Sequence, residues 1–309
     1  MKILITGGCG YIGSILTEVL LTTTKHEITV LDNLRFKQSP LLNLCYHKNL
    51  NVIIGDCREP SVIKPLLSAN DCIIHLAAIV GVDACDRNPF DARTLNFDAT
   101  QNIVRSLSKD QILLSPCSNS GYGVGQSGIY CTEETPLNPI SLYGTTKVEA
   151  EKVVMSRENS ISFRLATVFG GSSCLRTELL VNDFVRKALF DKSIVLFEKH
   201  FKRNFIHIRD VISAFLLGLN KFDEMKSQVY NVGLSSANLS KLELCELIKK
   251  YIDFEIICCD IRKDPDQRNY IVSNEKIERY GFVPQYTVDD GILELIKIYK
   301  IRNSSYYNN

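Results

Sequence analysis

The 309-residue sequence has no excess of charge of either sign: 36 Lys and Arg stand against 35 Asp and Glu, a formal net charge of +1. Without a global field, nucleic acid and anionic membrane surfaces are poor partners, and small molecules are the better expectation. The opening MKILITGGCG carries one Lys and a short apolar run that glycines end, too brief for a signal-peptide core or a membrane span. A cytoplasmic protein is expected. Cysteine is plentiful, at eleven, but no pair is spaced C-x-x-C, and the only adjacent pair is Cys258 and Cys259. That scatter argues against a disulfide framework and against a zinc site; the thiols are expected to be small buried apolar residues, and no metal is expected. What remains is an ordinary globular composition, 45% hydrophobic and 23% charged, enough for one large core or two unequal ones.

The first half alternates short apolar runs with longer amphipathic stretches: KILIT, YIGSILTEVLL, EITVLD, LNVIIGD and DCIIHLAA, then a polar helical stretch over 90–107, then QILLSP. Strands without polar alternation, joined by helical crossovers, predict an α/β fold with a Rossmann-type doubly wound parallel sheet covered on both faces. A helix follows from Leu142 to Ser156, and SISFRLATVFG reads as one further strand ending at Gly170 and Gly171. Beyond it the rhythm loosens into helices over 178–190, 210–221, 240–251 and 288–300 and a strand over 194–197. The expected division is a Rossmann domain over 1–170 and a smaller mixed α/β C-terminal substrate lobe over 171–309, the two interleaved. No internal repeat is visible, and the tail SSYYNN reads as disordered.

TGGCGYIG, residues 6–13, follows the strand KILI and opens a helix, which puts Gly7, Gly10, Tyr11, Ile12 and Gly13 in the first βα turn. Glycines there let the backbone turn tightly and approach a pyrophosphate, while the helix N-terminus offers N–H groups to the anion. The spacing is GxxGxxG, and a plain tight turn uses the same residues. EITVLDN strengthens the cofactor reading, because Asp32, followed by Asn33, stands about 20 residues beyond the last glycine, where a carboxylate accepts hydrogen bonds from adenosine ribose hydroxyls. A 2′-phosphate would be repelled there, so NAD is the expected cofactor. Asp56 and Cys57 follow the third strand at the same edge, where Asp56 either reaches the adenine or caps a helix.

Tyr143 and Lys147 are four apart in a helical stretch and so share a face. A phenol titrates near pH 10, too high for a base at neutral pH, but an ammonium close by favours the phenolate. Ser118 lies just past QILLS at the carboxyl edge of the sheet, where its hydroxyl can orient a substrate oxygen for loss of its proton. Alone, YxxxK also describes an exposed helix with a surface Lys.

The order of these parts carries more than any one of them. A glycine turn, a strand-end Asp32, HLAA at His75 to Ala78, Ser118 before GYG, then Tyr143 and Lys147 together resemble the extended short-chain dehydrogenase/reductase family of nucleotide-sugar epimerases, dehydratases and dehydrogenases. RNFIHIRDV (203–211) and YNVGLSS (230–236) are similar to that family's later landmarks, so the resemblance runs nearly end to end. It implies that NAD+ takes hydride from C4 of a sugar ring while Tyr143 takes the hydroxyl proton, with Lys147 on the nicotinamide ribose. It also implies that Leu76, Ala77 and Ala78 lie near the cofactor; His75 is expected to be a satisfied core histidine.

Departures from family patterns narrow the reaction. Dehydratases carry Asp and Glu after the hydroxyl residue, where this chain has Asn119 and Ser120, so dehydration is disfavoured. Ser120 likewise disfavours the decarboxylases, which place Glu there, and the 3,5-epimerases, which place Cys there; Cys117 is on the wrong side of Ser118. A 4-dehydrogenase and a 4-epimerase remain. SNSGYGVGQ, YCTEETPLNPISLYGTTK and DPDQRNYIVSN look most like the bacterial dehydrogenases that oxidise GDP-manno-heptose at C4 for capsule-sugar synthesis. A chain that binds NAD as a scaffold without turnover is a third reading, against which both Tyr143 and Lys147 stand. The resemblance implies that Arg176, Asn182, Arg203 and Arg268 hold the nucleotide sugar, because a guanidinium pairs bidentately with phosphate oxygens. Ser173 and Cys174 stand where relatives have Pro-Arg, one cation fewer. A homodimer through the helices 90–107 and 142–156 is expected on the same ground.

Overall fold

The computed structural model describes residues 1–259 and 267–304. Strand β1 (Lys2–Thr6) runs into helix α1 (Tyr11–Thr23), followed by β2 (Glu27–Asp32), β3 (Leu50–Ile54), α2 (Pro60–Ser68) and β4 (Cys72–His75). Helices α3 (Val82–Arg87), α4 (Pro89–Arg93) and α5 (Ala99–Ser106) lead to β5 (Ile112–Ser118). The helix expected over 90–107 is thereby interrupted, by a π-helical turn at Thr94–Asp98 that widens the coil around buried Asn96. A two-residue strand β6 (Tyr130–Cys131) precedes α6 (Leu142–Val154), whose first turn is capped by Ser141 Oγ accepting from Gly144 N at 3.1 Å.

The stretch expected as one strand over SISFRLATVFG divides into β7 (Ser160–Leu165) and β8 (Thr167–Phe169). After them come α7 (Leu180–Phe190), β9 (Ser193–Leu196), β10 (Lys202–His207), α8 (Ile208–Asn220), α9 (Phe222–Met225) and β11 (Gln228–Val232). The chain closes with β12 (Asn238–Ser240), α10 (Lys241–Lys249), β13 (Glu255–Cys258), β14 (Ile271–Val272), α11 (Glu275–Glu278) and α12 (Val288–Ser304).

Seven strands form a parallel sheet in the order β11-β7-β5-β4-β1-β2-β3. Its two faces are read off alternate residues. Ile3, Ile5, Ile28, Val30, Ile74 and Leu114 pack under α1 and α8, whereas Leu4, Leu31, Ile73 and Leu113 pack under α2, α5 and α6. Burial on both sides explains why these strands are apolar throughout. The strand order reverses between β1 and β4, the place where an open α/β sheet forms its ligand crevice.

A second set of strands builds the smaller part: β12-β10-β8 as three strands, and β13-β9 as two. The split at Ala166 has a visible cause, since its N–H still bonds Val232 O on β11, after which the chain leaves the main sheet and β8 pairs with β10. Helices α7, α10 and α12 cover this part with Phe184, Val185, Leu244, Ile248, Ile292 and Leu295. Among the described residues no helix is long and apolar enough to cross a membrane. Eight cysteines are buried as expected, but Cys45 and Cys258 are exposed, the latter at the end of the edge strand β13. Of DPDQRNYIVSN, residues 264–266 lie outside the described residues, as does the tail from Ser305 to Asn309.

Candidate active site

The first βα turn is as tight as its glycines require. Gly7 has φ +74°, and a Cβ on it would stand 2.8 Å from the backbone nitrogen of Ala77. A Cβ on Gly13 would stand 2.2 Å from the carbonyl of Gly7. The tips of β1 and β4 therefore touch, and α1 rides directly on the turn. That helix begins at Gly10 with no capping side chain and no acidic residue in its first turn, so its leading N–H groups keep the partial positive charge an anion needs. Thr6 carries the junction, its hydroxyl meeting Ala77 N at 3.4 Å and His75 Nδ1 at 2.6 Å. His75 is the satisfied core residue expected of it: Nε2 meets Thr100 Oγ1 at 3.1 Å, and burial, then the charge of Lys147, lowers its pKa to about 3.

Asp32 ends β2 with one oxygen accepting from Cys9 N at 2.9 Å and the other from Leu34 N at 2.8 Å. Each oxygen keeps a second lone pair for a hydroxyl donor. This cradle fits a dinucleotide on three counts: backbone that no Cβ could approach, an uncapped helix start, and a carboxylate held at the ribose position.

The side chains of other residues expected at the cofactor have partners of their own. The Tyr11 phenol is buried and donates to Gly170 O at 2.7 Å, so it ties α1 to the loop after β8 and leaves only the Tyr11 backbone at the turn. Ile12 packs against the core under α1, and the Cys57 thiol is pushed up to about 12 chiefly by burial beneath α2. Asp56 is gripped by Arg58, whose Nη2 lies 2.7 Å from Oδ2; hydrogen bonds from that guanidinium hold the carboxyl below the usual range. Arg58 also donates to Asp91 Oδ1 at 2.7 Å, so the carboxylate expected at the adenine anchors an ion-pair network. Asn33 Oδ1 caps the turn at Arg35 N, 3.2 Å away.

At the chemical end, the Ser118 hydroxyl stands close enough to the Tyr143 phenol to act on its pKa. Tyr143 is 8% exposed, and burial pushes its phenol up to about 12. A hydrogen bond with Ser118 opposes that rise, as do the charges of Arg268 and Arg176. The Lys147 ammonium is itself buried, which lowers its own pKa, and it faces His75, Cys85, Cys117 and Glu151. Ser118 Oγ also meets Ser120 Oγ at 2.9 Å and accepts from Ser120 N at 3.1 Å, which shapes the short turn Asn119–Tyr122. Asn119 in that turn is 1% exposed, and neither of its amide atoms has a hydrogen-bond partner among the described residues.

The substrate cations divide. Arg268 donates to Ser120 Oγ, which brings it beside the Ser118–Tyr143 pair. Arg203 on β10 is buried, donates to Lys202 O at 2.9 Å and stacks over Tyr270 at 5.5 Å. Arg176 pairs with Glu178 at 2.8 Å and donates to Val80 O at 3.2 Å beyond β4. Asn182 corrects the expectation: it is wholly buried, accepts from Gly170 N and donates to Gly170 O and Arg176 O, so it shapes the 170–176 loop and has no surface for substrate. Sequence reasoning missed Asn96, whose amide accepts from Ile79 N at 2.7 Å and donates to Ile79 O and to Thr146 Oγ1 on α6. A polar residue on the buried face of TLNFDATQN was the one available signal.

The family described as the NAD dependent epimerase/dehydratase family matches residues 3–233. The low-salt glycan biosynthesis protein Agl12 of Haloferax volcanii is 27% identical, with 97% of this chain and 98% of that protein covered. A putative UDP-glucose 4-epimerase of Methanocaldococcus jannaschii is also 27% identical, over 97% of this chain and 99% of its own. Among solved structures, the UDP-Glc/GlcNAc 4-epimerase of Campylobacter jejuni superposes with a TM-score of 0.81 at 27% identity, covering 96% of this chain and 99% of that one. A doubly wound sheet, a glycine cradle facing Asp32, and a match over most of the sequence agree, and the chain belongs to the NAD-dependent epimerase/dehydratase family of enzymes.

Proposed function

We propose that this chain oxidises C4 of a nucleotide-activated sugar to the 4-keto sugar, with Ser118 orienting the reacting hydroxyl and Tyr143 accepting its proton. The observation that carries the reading is the Ser118–Tyr143 contact at the carboxyl edge of the sheet, next to the cradle of Gly7, Gly13 and Asp32. NAD, when bound, supplies the hydride acceptor. Gly7, Gly10, Gly13, Asp32 and the backbone of Leu76 to Ala78 would hold it, with Lys147 on the nicotinamide ribose. A phenol pushed up to about 12 is protonated at neutral pH, so the base forms only when positive charge nearby rises. Arg268 and Arg176 already hold the phenol down from a higher value, so the additional charge would come with the oxidised nicotinamide. Arg203 and Arg268 are the cations assigned to the nucleotide sugar.

Asn119 and Ser120 leave no carboxylate in the turn after Ser118, which favours oxidation over elimination of water. The substrate proposed is GDP-D-glycero-α-D-manno-heptose, on the resemblance of SNSGYGVGQ and YCTEETPLNPISLYGTTK to the 4-dehydrogenases of capsule-sugar synthesis. The 4-epimerase names of the Methanocaldococcus and Campylobacter proteins favour a second reading, in which the ketone is reduced again on the opposite face. A homodimer is part of the proposal; Phe90 on α4, 75% exposed, lies in the helical stretch assigned to it. Purified protein incubated with GDP-, UDP- and dTDP-sugars, with products read by mass and NMR, tests the reading. Loss of two hydrogens marks the dehydrogenase and unchanged mass with altered ring couplings marks the epimerase; no change in any sugar contradicts both.

A further inference from the structure

Behind the Ser118–Tyr143 contact lies a buried charged cluster that the proposed chemistry does not use. Arg164 on β7 is 6% exposed, and its Nε and Nη2 bond both carboxylate oxygens of Glu151 on α6 at 2.7 to 3.1 Å. Glu151, equally enclosed, also accepts from Ser162 Oγ at 3.0 Å. The remaining nitrogen of the guanidinium, Nη1, donates to Tyr122 Oη at 3.2 Å and to Glu133 O at 3.1 Å. Its carbon lies 5.5 Å from the centre of the Tyr122 ring. The Tyr122 hydroxyl in turn bonds Asn231 Oδ1 on β11 at 2.7 Å.

The connectivity is what matters. Tyr143, Lys147 and Glu151 are spaced four apart along α6 and share a face. Tyr122 closes the turn that starts directly after Ser118. One guanidinium therefore grips both the helix of the phenol and the turn of the serine. A buried ion pair is a poor way to gain stability, because desolvation offsets the attraction and apolar residues of similar volume do as well or better. Direction is what an apolar contact cannot supply: a planar fork fixes the angle between the partners it bonds.

We propose that Arg164, Glu151 and Tyr122 form a positioning device that sets the Ser118 turn against the Tyr143 helix, and that its contribution is to geometry rather than to stability. The inference rests on the roles given to Ser118 and Tyr143, so its test includes a readout that needs no substrate. In protein carrying carbon-13 at the tyrosine ring carbon Cζ, Tyr143→Phe identifies the Tyr143 resonance, which then reports its contact with Ser118. The double variant Arg164→Met with Glu151→Leu replaces the pair by apolar volume. It is expected to keep its melting temperature and its NAD affinity, to shift the Tyr143 resonance, and to lower kcat for NAD reduction about 10- to 100-fold, the scale that misplacement of about 1 Å produces. Tyr122→Phe keeps the pair and the ring, and is expected to move the resonance and lower kcat in the same direction. It decides the matter alone if the double variant does not fold. An unmoved Tyr143 resonance, or wild-type kcat with the fold intact, overturns the inference. A resonance that moves in a protein that turns over no sugar nucleotide upholds the positioning and counts against the proposed reaction instead.

Discussion

Tyr143 has the hardest task, and its surroundings oppose it. Burial pushes the phenol up to about 12, and the hydrogen bond with Ser118 and the charges of Arg268 and Arg176 oppose the rise. Spacing along a helix could not reveal this, because both cations come from elsewhere in the fold, Arg176 after β8 and Arg268 before β14. Arg268→Met is expected to move the rising limb of the kcat/KM pH profile to higher pH, since removing the cation disfavours the phenolate; an unchanged profile contradicts that account. At the other end, Asp32→Ala should weaken NAD binding about 10- to 100-fold, the worth of hydrogen bonds to a charged group, as read by fluorescence titration. The same change should narrow the preference for NAD over NADP, because the repulsion of a 2′-phosphate goes with the carboxylate.

Elements differ in how much of them the sequence carries. β1, β2 and β4 are short, mostly apolar runs buried on both faces, and this local signal suffices to find them, whereas the edge strand β3 leaves Val52 and Ile54 exposed. The split of SISFRLATVFG at Ala166 is set by strand partners 67 and 38 residues away, β11 and β10, and nothing local marks it. Asp32 was legible because its distance from the glycines is fixed by one helix and one strand. The grip of Arg58 on Asp56 depends on where Asp91 and Thr94 fold back. Asn182 had a readable signal in the apolar Val181, Phe184 and Val185 of its own helix face, which mark the side it shares as buried. The contact between α1 and its turn gives an element-scale prediction. Gly13→Ala forces a methyl against the Gly7 carbonyl and should cost about 1–3 kcal/mol of stability, measurable by urea unfolding, together with most NAD affinity.

For the molecule as a whole, the buried neutral His75 links stability to pH. Its folded pKa is depressed to about 3 from 6.5, so on acidification the unfolded chain binds the proton first. Stability is then lost as pH falls from about 6.5 toward 3, at up to about 1.4 kcal/mol per pH unit for this group. Urea unfolding between pH 7 and pH 5 should show that slope, and His75→Gln should flatten it; equal slopes would mean that His75 is not held neutral between Thr6 and Thr100.

The account stands on the phenol of α6 and the hydroxyl at the tip of β5 acting on one sugar alcohol. The direct measurement is the absorbance of reduced nicotinamide when a turned-over nucleotide sugar is added to wild-type protein and to Tyr143→Phe, each loaded with NAD. Reduction in the wild type and a rate about 10²- to 10⁴-fold lower in the variant, with NAD still bound, is the predicted result. Reduction by Tyr143→Phe at the wild-type rate would contradict it.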